Sequence, residues 1–269
     1  MYSEDTTVAT AQKLMLEILQ TVHRICEEHH ITYFLDAGTL LGAIRHGGFI
    51  PWDDDADIAM PRKDYEKFLK IAPKYLPDDL FLQTRETDPA YRITYAKIRK
   101  QNTLLIQKNE TGHESFQHGI FIDIFPFDYY KSEWFLRWMK WALTIRGKRN
   151  KYKKGTFKRS LVTLYTHYFL LIPIEISLAI HRFFASHKHY FANENYDYLT
   201  YALEYGVFCI TKTKDILPVK LAKNVFEGSD FYLPANPHNY LTAMYGSNYM
   251  QLPPVEERQT HAKKIMLDI

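Results

Sequence analysis

Cysteine is scarce. Cys26 and Cys209 are the only two in 269 residues, which excludes a disulfide scaffold and a cysteine-rich zinc site and suits a reducing cytosol. A chain of this length buries a full core without such staples and corresponds to one large domain or two small ones. Residues 1–12 carry no basic segment leading into an apolar run, so no secretory signal is expected. Internal repeats and low-complexity linkers are also lacking, which excludes a solenoid. Of the 11 glycines, Gly38, Gly42, Gly47 and Gly48 crowd into one short stretch, where the backbone must turn sharply or approach something closely. A single apolar run, residues 161–180, is long enough to span a bilayer. His167, Pro173 and Glu175 interrupt it, and a charge inside a membrane costs roughly 3 kcal/mol or more. An interfacial helix pair is therefore expected there rather than a span.

Charge is distributed unevenly. The net charge is only +3, yet residues 131–190 hold thirteen Lys/Arg against Glu133 and Glu175, so this segment carries +11 and the remainder −8. A basic segment on an acidic body points to an anionic partner surface, membrane or nucleic acid. Trp134, Trp138 and Trp141, with Phe135, recur at helical spacing, followed by a basic run over 146–154. The apolar flanks of that run favour an anionic membrane, and no nucleic-acid partner is expected. The 20 tyrosines fit either an interface-seeking surface or a Tyr-rich core.

Along the chain, Leu14, Ile18, Val22 and Ile25 form one apolar face of a helix over residues 8–30. Residues 31–35 read as a short strand, and residues 40–45 as a helix beginning at Thr39. Residues 53–60 read as extended, and Pro61 opens a helix with Tyr65, Phe68 and Leu69 on its apolar stripe. Two more strands are expected over 91–99, with Tyr91, Ile93, Tyr95, Lys97 and Arg99 on one face, and over 119–125. Alternating helices and strands argue an α/β or α+β sheet domain.

The stretch Asp53-Asp54-Asp55-Ala56-Asp57-Ile58 carries the chemistry. Aspartate is depleted in strands, and like charges on one face repel. In an extended segment Asp53, Asp55 and Asp57 point one way, with Ala56 and Ile58 opposite. Three carboxylates on one face call for a cation, and hard oxygen ligands suit Mg²⁺ or Mn²⁺. A solvated acidic turn is the plain alternative. A calcium loop is disfavoured because Ile58 stands where its turn needs Gly. Asp123 lies inside the apolar run 119–127, where an unpaired carboxylate is costly. It either ligates the same metal or pairs with a base.

A Gly38-Thr39 corner, then Asp55-Ala56-Asp57-Ile58, then Ile122-Asp123-Ile124 resemble the nucleotidyltransferase fold. The longer blocks Asp36-Ala-Gly-Thr-Leu-Leu-Gly-Ala-Ile-Arg-His46, Gly48-Phe-Ile-Pro-Trp-Asp-Asp-Asp-Ala-Asp-Ile58 and Phe121-Ile-Asp-Ile-Phe-Pro126 resemble the LicD family of phosphocholine transferases, to which fukutin-related protein is related. Phe226-Glu-Gly, Tyr240-Leu, Tyr245-Gly and Leu252-Pro-Pro254 are similar to that family's C-terminal block. The resemblance implies a nucleotidyltransferase-like mixed-sheet core over 1–130 and 190–269. Residues 131–190 match none of its motifs and read as an inserted, basic and aromatic helical membrane-interaction segment.

The implied activity is metal-dependent transfer of phosphocholine from CDP-choline to a sugar hydroxyl of a lipid-linked cell-surface glycan, a teichoic acid precursor or lipopolysaccharide. That would occur at the inner face of the cell membrane, with the enzyme cytoplasmic and peripherally attached. In this reading Asp55 and Asp57 hold Mg²⁺ or Mn²⁺. Asp123 completes the metal site and accepts the proton of the acceptor, Asp53 orients the cluster or binds a second metal, and Gly38 and Thr39 contact phosphate. Arg45 either pairs with phosphate or forms a helix-surface salt bridge. Lys97 either reaches phosphate or forms a structural ion pair. Trp52 either offers its face to the trimethylammonium group or plugs the core. His46, His118 and His261 read as structural histidines. The rival readings are a glycosyltransferase using Asp55-Ala56-Asp57 and an inactive membrane adaptor.

Overall fold

The computed structural model describes residues 4–141, 196–202 and 209–267. The chain divides into two compact units, one of Met1–Pro126 with Lys214–Ile269 and one of Phe127–Thr213.

In the first unit, helix α1 (Glu4–Glu28) leads into strand β1 (Phe34–Leu35), helix α2 (Ala37–His46), strand β2 (Asp57–Pro61) and helix α3 (Arg62–Ile71). Strands β3 (Leu80–Gln83), β4 (Ala96–Lys100), β5 (Leu104–Gln107) and β6 (Phe121–Tyr130) follow. The main sheet is mixed, in the order β1-β2-β6-β4-β3. Of the expected apolar face of α1, Ile18, Val22 and Ile25 are buried and Leu14 is half-buried, its place in the core being taken by Met15. Met15, Ile18, Leu19, Val22, Ile25 and Cys26 are all buried, a stripe of the width that packs a helix on a core.

Strand β4 begins at Ala96, so the segment 91–95 is not the strand its alternation predicts. Its carbonyls go to side chains instead: Arg85 Nε donates to Ile93 O at 3.1 Å and the Tyr91 hydroxyl to Tyr95 O at 3.1 Å. Strand β6 is longer than expected and buried at all ten positions. Pro126 lies within it, and a proline has no N–H for a ladder. The pairing with β4 reaches Ile124 opposite Ala96. Beyond Pro126, Phe127–Tyr130 pair with strand β7 (Tyr198–Tyr201) in the second unit.

The C-terminal part of the first unit returns to the α2 loop. Strands β8 (Lys220–Phe226) and β9 (Ser229–Leu233) form a hairpin. Its two turn residues, Glu227 and Gly228, have φ of 49° and 71°, the left-handed pair that a two-residue hairpin turn requires. The Glu227 N–H donates to Gly47 O at 2.9 Å, and its carboxylate accepts the Phe49 N–H at 3.0 Å. A Cβ at Gly48 would lie 2.0 Å from Glu227 Oε1, so a side chain there would displace that carboxylate. A helix over Pro237–Tyr245 and strand β10 (Ala262–Met266), paired with β5, complete the unit.

In the second unit, residues 133–141 are helical. Tyr130, Leu136 and Met139 form its buried cluster, with Phe135, Trp138, Tyr198 and Ile210 packed against it. The expected tryptophan face is therefore divided: Trp138 joins the cluster, whereas Trp134 is 73% and Trp141 41% exposed. The basic run 146–154 and the apolar run 161–180 lie outside the described residues. Among the described residues no helix is long and apolar enough to cross a membrane.

Gly42 makes the tightest backbone approach of the α2 loop. A Cβ there would sit 2.4 Å from Gly48 O and 3.3 Å from Ile50 N. Overpacking against backbone costs about 1–3 kcal/mol. Gly228 has open space around it and only its left-handed φ of 71°, a cost of about 1 kcal/mol for alanine. Gly42→Ala is expected to lower stability more than Gly228→Ala in urea denaturation. Equal losses would show that the α2 loop gives way freely.

Candidate functional site

Pro51 breaks the chain before the acidic stretch, and the Asp53 N–H closes a turn on Ile50 O at 2.9 Å. Gln12 of α1 holds that turn, donating to Ile50 O at 3.1 Å and Asp53 O at 2.7 Å. The following aspartates then alternate. Asp54 turns into the protein and is 1% exposed. Its carboxylate accepts the His261 N–H at 2.8 Å and the Ala262 N–H. Asp53 and Asp55 share a side-chain hydrogen bond, and the charges of Asp53 and Asp55 both reach Asp57.

The N-terminus of α2 is set against this cluster. Asp36, fully buried, caps the helix by accepting the Ala37 N–H at 2.7 Å, and the Tyr240 hydroxyl donates to the same oxygen. Thr39 Oγ1 accepts the Asp57 N–H at 2.7 Å. Gly38 lies directly beside Asp53: a Cβ at position 38 would come within 2.8 Å of Asp53 Oδ2. The glycine corner and the acidic stretch are thus one site, at a helix N-terminus of the kind that binds anions.

Asp123 enters from β6, its N–H donating to Ala56 O at 2.7 Å. Its register partner on β4 is Lys97. Lys97 Nζ lies 2.5 Å from Asp123 Oδ1 and 3.4 Å from the centroid of the Phe121 ring, with Lys97 fully buried. The base that a buried Asp123 demands is therefore Lys97. Arg99, next on the same face, is held by Gln83 Oε1 at 2.5 Å and Gly119 O at 2.7 Å.

The electrostatics follow from burial and crowding. Burial, then the Asp55 charge and hydrogen bond, push the Asp53 carboxyl well up. Burial and the charges of Asp55, Asp123, Asp36 and Asp53 do the same to Asp57. Asp55 alone is held below its ordinary value: burial raises it, but His261, Asp53's proton and Lys97 together outweigh burial. Burial pushes Asp123 up and Lys97 down, while each one's charge holds the other ionised. The hydrogen bond to Asp55, against burial and with the charges of Asp55, Asp54 and Asp53, raises His261 to about 9.

The residues present fit a divalent cation. Among the described residues nothing donates a hydrogen bond to the Asp57 carboxylate, and its charged neighbours are carboxylates. Asp53, Asp54 and His261 each offer a ligand atom within 4.8 Å of one another. This differs from the expected set of Asp55, Asp57 and Asp123, which forms no such group among the described residues.

The remaining candidates are placed as follows. Arg45 Nη1 donates to the carbonyls of Tyr249 at 3.0 Å and Gln251 at 3.3 Å. Trp52 is half-buried, with the Arg258 guanidinium 5.1 Å from its ring centroid and His46 edge-on at 6.4 Å. His118 lies 3.6 Å from both Glu110 and Glu114. His261 joins the cluster, 3.4 Å from Asp55 Oδ2; no local spacing marks it, since it arrives 206 residues later in the chain. Tyr245 was likewise given no role by the sequence. The residue is 45% exposed, and burial together with the charges of Asp57, Asp36, Asp53 and Asp55 pushes its hydroxyl up.

Comparison with known proteins places the chain in a family. A family model described as LicD/FKTN/FKRP, nucleotidyltransferase domain, matches residues 30–166. The chain is 30% identical over 270 residues to the lipopolysaccharide cholinephosphotransferase LicD of Haemophilus influenzae, covering 95% of this chain and 96% of that one. It is also 36% identical over 64 residues to the human ribitol 5-phosphate transferase FKRP, covering 24% of this chain and 13% of that one.

Breaking a buried ion pair from one side costs about 3–5 kcal/mol, because the other charge is left unanswered. Lys97→Met is therefore expected to destabilise by about that amount. Adding Asp123→Asn should recover a large part of the loss, a coupling that a double-mutant cycle in chemical denaturation measures. Simple additivity of the two losses would refute the pairing.

Proposed function

Because the chain belongs to the LicD/FKTN/FKRP nucleotidyltransferase family, we propose that it transfers phosphocholine from CDP-choline to a sugar hydroxyl of a lipid-linked cell-surface glycan, lipopolysaccharide or a teichoic acid precursor. The observation that carries this reading is the juxtaposition of the α2 N-terminus with the carboxylates of Asp53, Asp55, Asp57 and Asp123. A diphosphate laid along the α2 amides meets that cluster. The acceptor oxygen forms a bond to the choline-bearing phosphorus, the bond from that phosphorus to the bridging oxygen breaks, and CMP leaves.

The roles in this reading are the following. Asp55 and Asp57 would hold Mg²⁺ or Mn²⁺, with Asp123 completing the site and Asp53 and His261 beside it. The ion would neutralise charge on the transferred phosphoryl group. Asp123 receives the proton of the acceptor hydroxyl on the carboxylate oxygen that Lys97 does not hold. Asp53 orients the cluster. Gly38, whose missing side chain leaves room for Asp53, contacts phosphate. Thr39 accepts from Asp57 and retains its own O–H to donate to phosphate. Arg45 and Trp52 shape the rim, Arg45 through the C-terminal carbonyls it binds.

The segment 131–190 docks the enzyme on the cytoplasmic face of an anionic membrane in this reading, as an insertion into a catalytic core formed by 1–130 and 190–269. Its charge of +11 supplies attraction of about 1 kcal/mol per basic residue near the surface. The exposed Trp134 and Trp141 supply apolar anchors.

Two measurements test the proposal. With CDP-choline, metal and lipid-linked acceptor, Asp55→Asn and Asp57→Asn should each slow CMP release about a thousandfold, corresponding to a loss of roughly 4 kcal/mol of charge stabilisation, with the fold intact. Near-normal rates at saturating metal, or release of UDP from a UDP-sugar instead, would overturn it. In a second experiment, the protein should bind anionic vesicles, weakly at high salt and poorly when the lipids are neutral. Indifference to anionic vesicles would remove the membrane reading and leave the transferase reading untouched.

A further inference from the structure

Beside the acidic cluster lies a groove of the opposite sign. One cavity, of about 620 Å³, is lined by Trp52, Lys108, Arg258, Gln259 and Thr260, among others. A second, of about 230 Å³, is lined by Ala262, Lys263, Lys264 and their neighbours. Val8 and Thr260 belong to both walls, so the two adjoin. Four cations and no carboxylate line them. Among the described residues none of the four forms an ion pair.

The backbone explains how this groove is built. Strand β10 pairs with β5 with an irregularity between Ala262 and Lys264, and a bulge of this kind re-aims successive side chains. Lys263 and Lys264 therefore line one cavity although they are adjacent. The Lys108 N–H donates to His261 O at 2.9 Å, which brings Lys108 to the same wall. The Arg258 guanidinium stacks over Trp52 at 5.1 Å and is tethered by its Nε to Pro253 O at 2.9 Å. Its terminal nitrogens keep the planar fork that binds phosphate oxygens in pairs. Trp52 directly precedes Asp53, and Thr260 directly precedes the two amides that hold Asp54. The groove wall and the catalytic wall are thus the same two segments.

We propose that this groove is the acceptor subsite and that it takes a saccharide bearing phosphate. The inference rests on the transferase reading above. The cations select the phosphate, Gln259 and Thr260 supply neutral donors and acceptors for sugar hydroxyls, and the volume exceeds what a lone phosphate fills. A ligand held here presents its hydroxyl to carboxylates a residue or two away in the chain.

The test uses the full chain and the variant Lys108→Gln/Lys263→Gln/Lys264→Gln, with the corresponding triple Arg variant as rescue. The probes are a phosphorylated lipopolysaccharide oligosaccharide, the same oligosaccharide after dephosphorylation, and CDP-choline. The wild type should bind the phosphorylated probe about tenfold more tightly than the dephosphorylated one at low salt, the size expected of three exposed ion pairs. The Gln variant should lose that preference and the Arg variant keep it. CDP-choline affinity should stay within about twofold, and the KM for acceptor should rise without a change in kcat. Loss of CDP-choline binding in the Gln variant would mark the groove as a donor site and overturn the proposal. So would equal binding of the two oligosaccharides, or full competition by phosphatidylglycerol vesicles. Lysine-dependent binding by a protein that releases no CMP would refute the transferase reading and leave a saccharide-phosphate site standing.

Discussion

Mutual repulsion among Asp36, Asp53, Asp55, Asp57 and Asp123 is the constraint to which the rest of the first unit responds. Two unit charges 4 Å apart in a protein-like medium repel by about 4 kcal/mol, and here several carboxylates act on each other at once. The chain answers most of them individually. Asp36 is occupied by a helix amide and the Tyr240 hydroxyl. Asp54 is satisfied by two backbone amides. Asp53 and Asp55 are joined by a side-chain hydrogen bond, with His261 favouring the charged form of Asp55. Asp123 has Lys97. Asp57 has carboxylates for neighbours and, among the described residues, no donor. The one charge left unanswered by protein groups is thus at the centre of the cluster, where a cation would relieve the largest number of repulsions.

Several of those answers come from far along the chain. Tyr240 reaches Asp36 across 204 residues and His261 reaches Asp54 across 207. Glu227 closes on Phe49 across 178, and Arg45 on Tyr249 across 204. The acidic stretch and the glycine corner therefore hold their geometry only when the C-terminal hairpin, helix and strand have packed. Gly42 belongs to the same requirement, since it leaves space for the Gly48 carbonyl at a distance no Cβ tolerates, and Gly48 leaves space for the Glu227 carboxylate. The glycine cluster at 38–48 is explained by docking as much as by the turn itself.

What the sequence disclosed and what it concealed divide along that line. Asp53, Asp55 and Asp57 sharing a face, and Gly38 turning beside them, follow from short-range alternation and needed no tertiary knowledge. That Asp123 requires a base was legible from its apolar flanks. That the base is Lys97 depends on the register of β4 against β6, which no local pattern states. His261 was passed over for the same reason. Residues 91–95 misled because their alternation is that of a strand, while their carbonyls are taken by Arg85 and by the Tyr91 hydroxyl. The tryptophan spacing misled more subtly. It gave the helix correctly, but Leu136 and Met139 form the buried face and draw Trp138 in with them.

The two signs of charge that the composition separates also meet within the first unit itself. Carboxylates of Asp53, Asp54 and Asp55 and the cations of Arg258, Lys263 and Lys264 are carried by the same two segments, 52–55 and 258–264. These cations do not cancel the acidic cluster: among the described residues none of them pairs with a carboxylate, and the link between the segments is made by His261 and by two backbone amides instead. Had Arg258 or Lys263 formed the link, each sign would have been neutralised and neither surface left to bind a ligand. Using uncharged amides and one histidine to join the segments keeps an anion-attracting wall and a cation-attracting wall side by side. That is the arrangement the proposed transfer would need, because in that reading both substrates bring negative charge and a metal ion would accommodate only one of them.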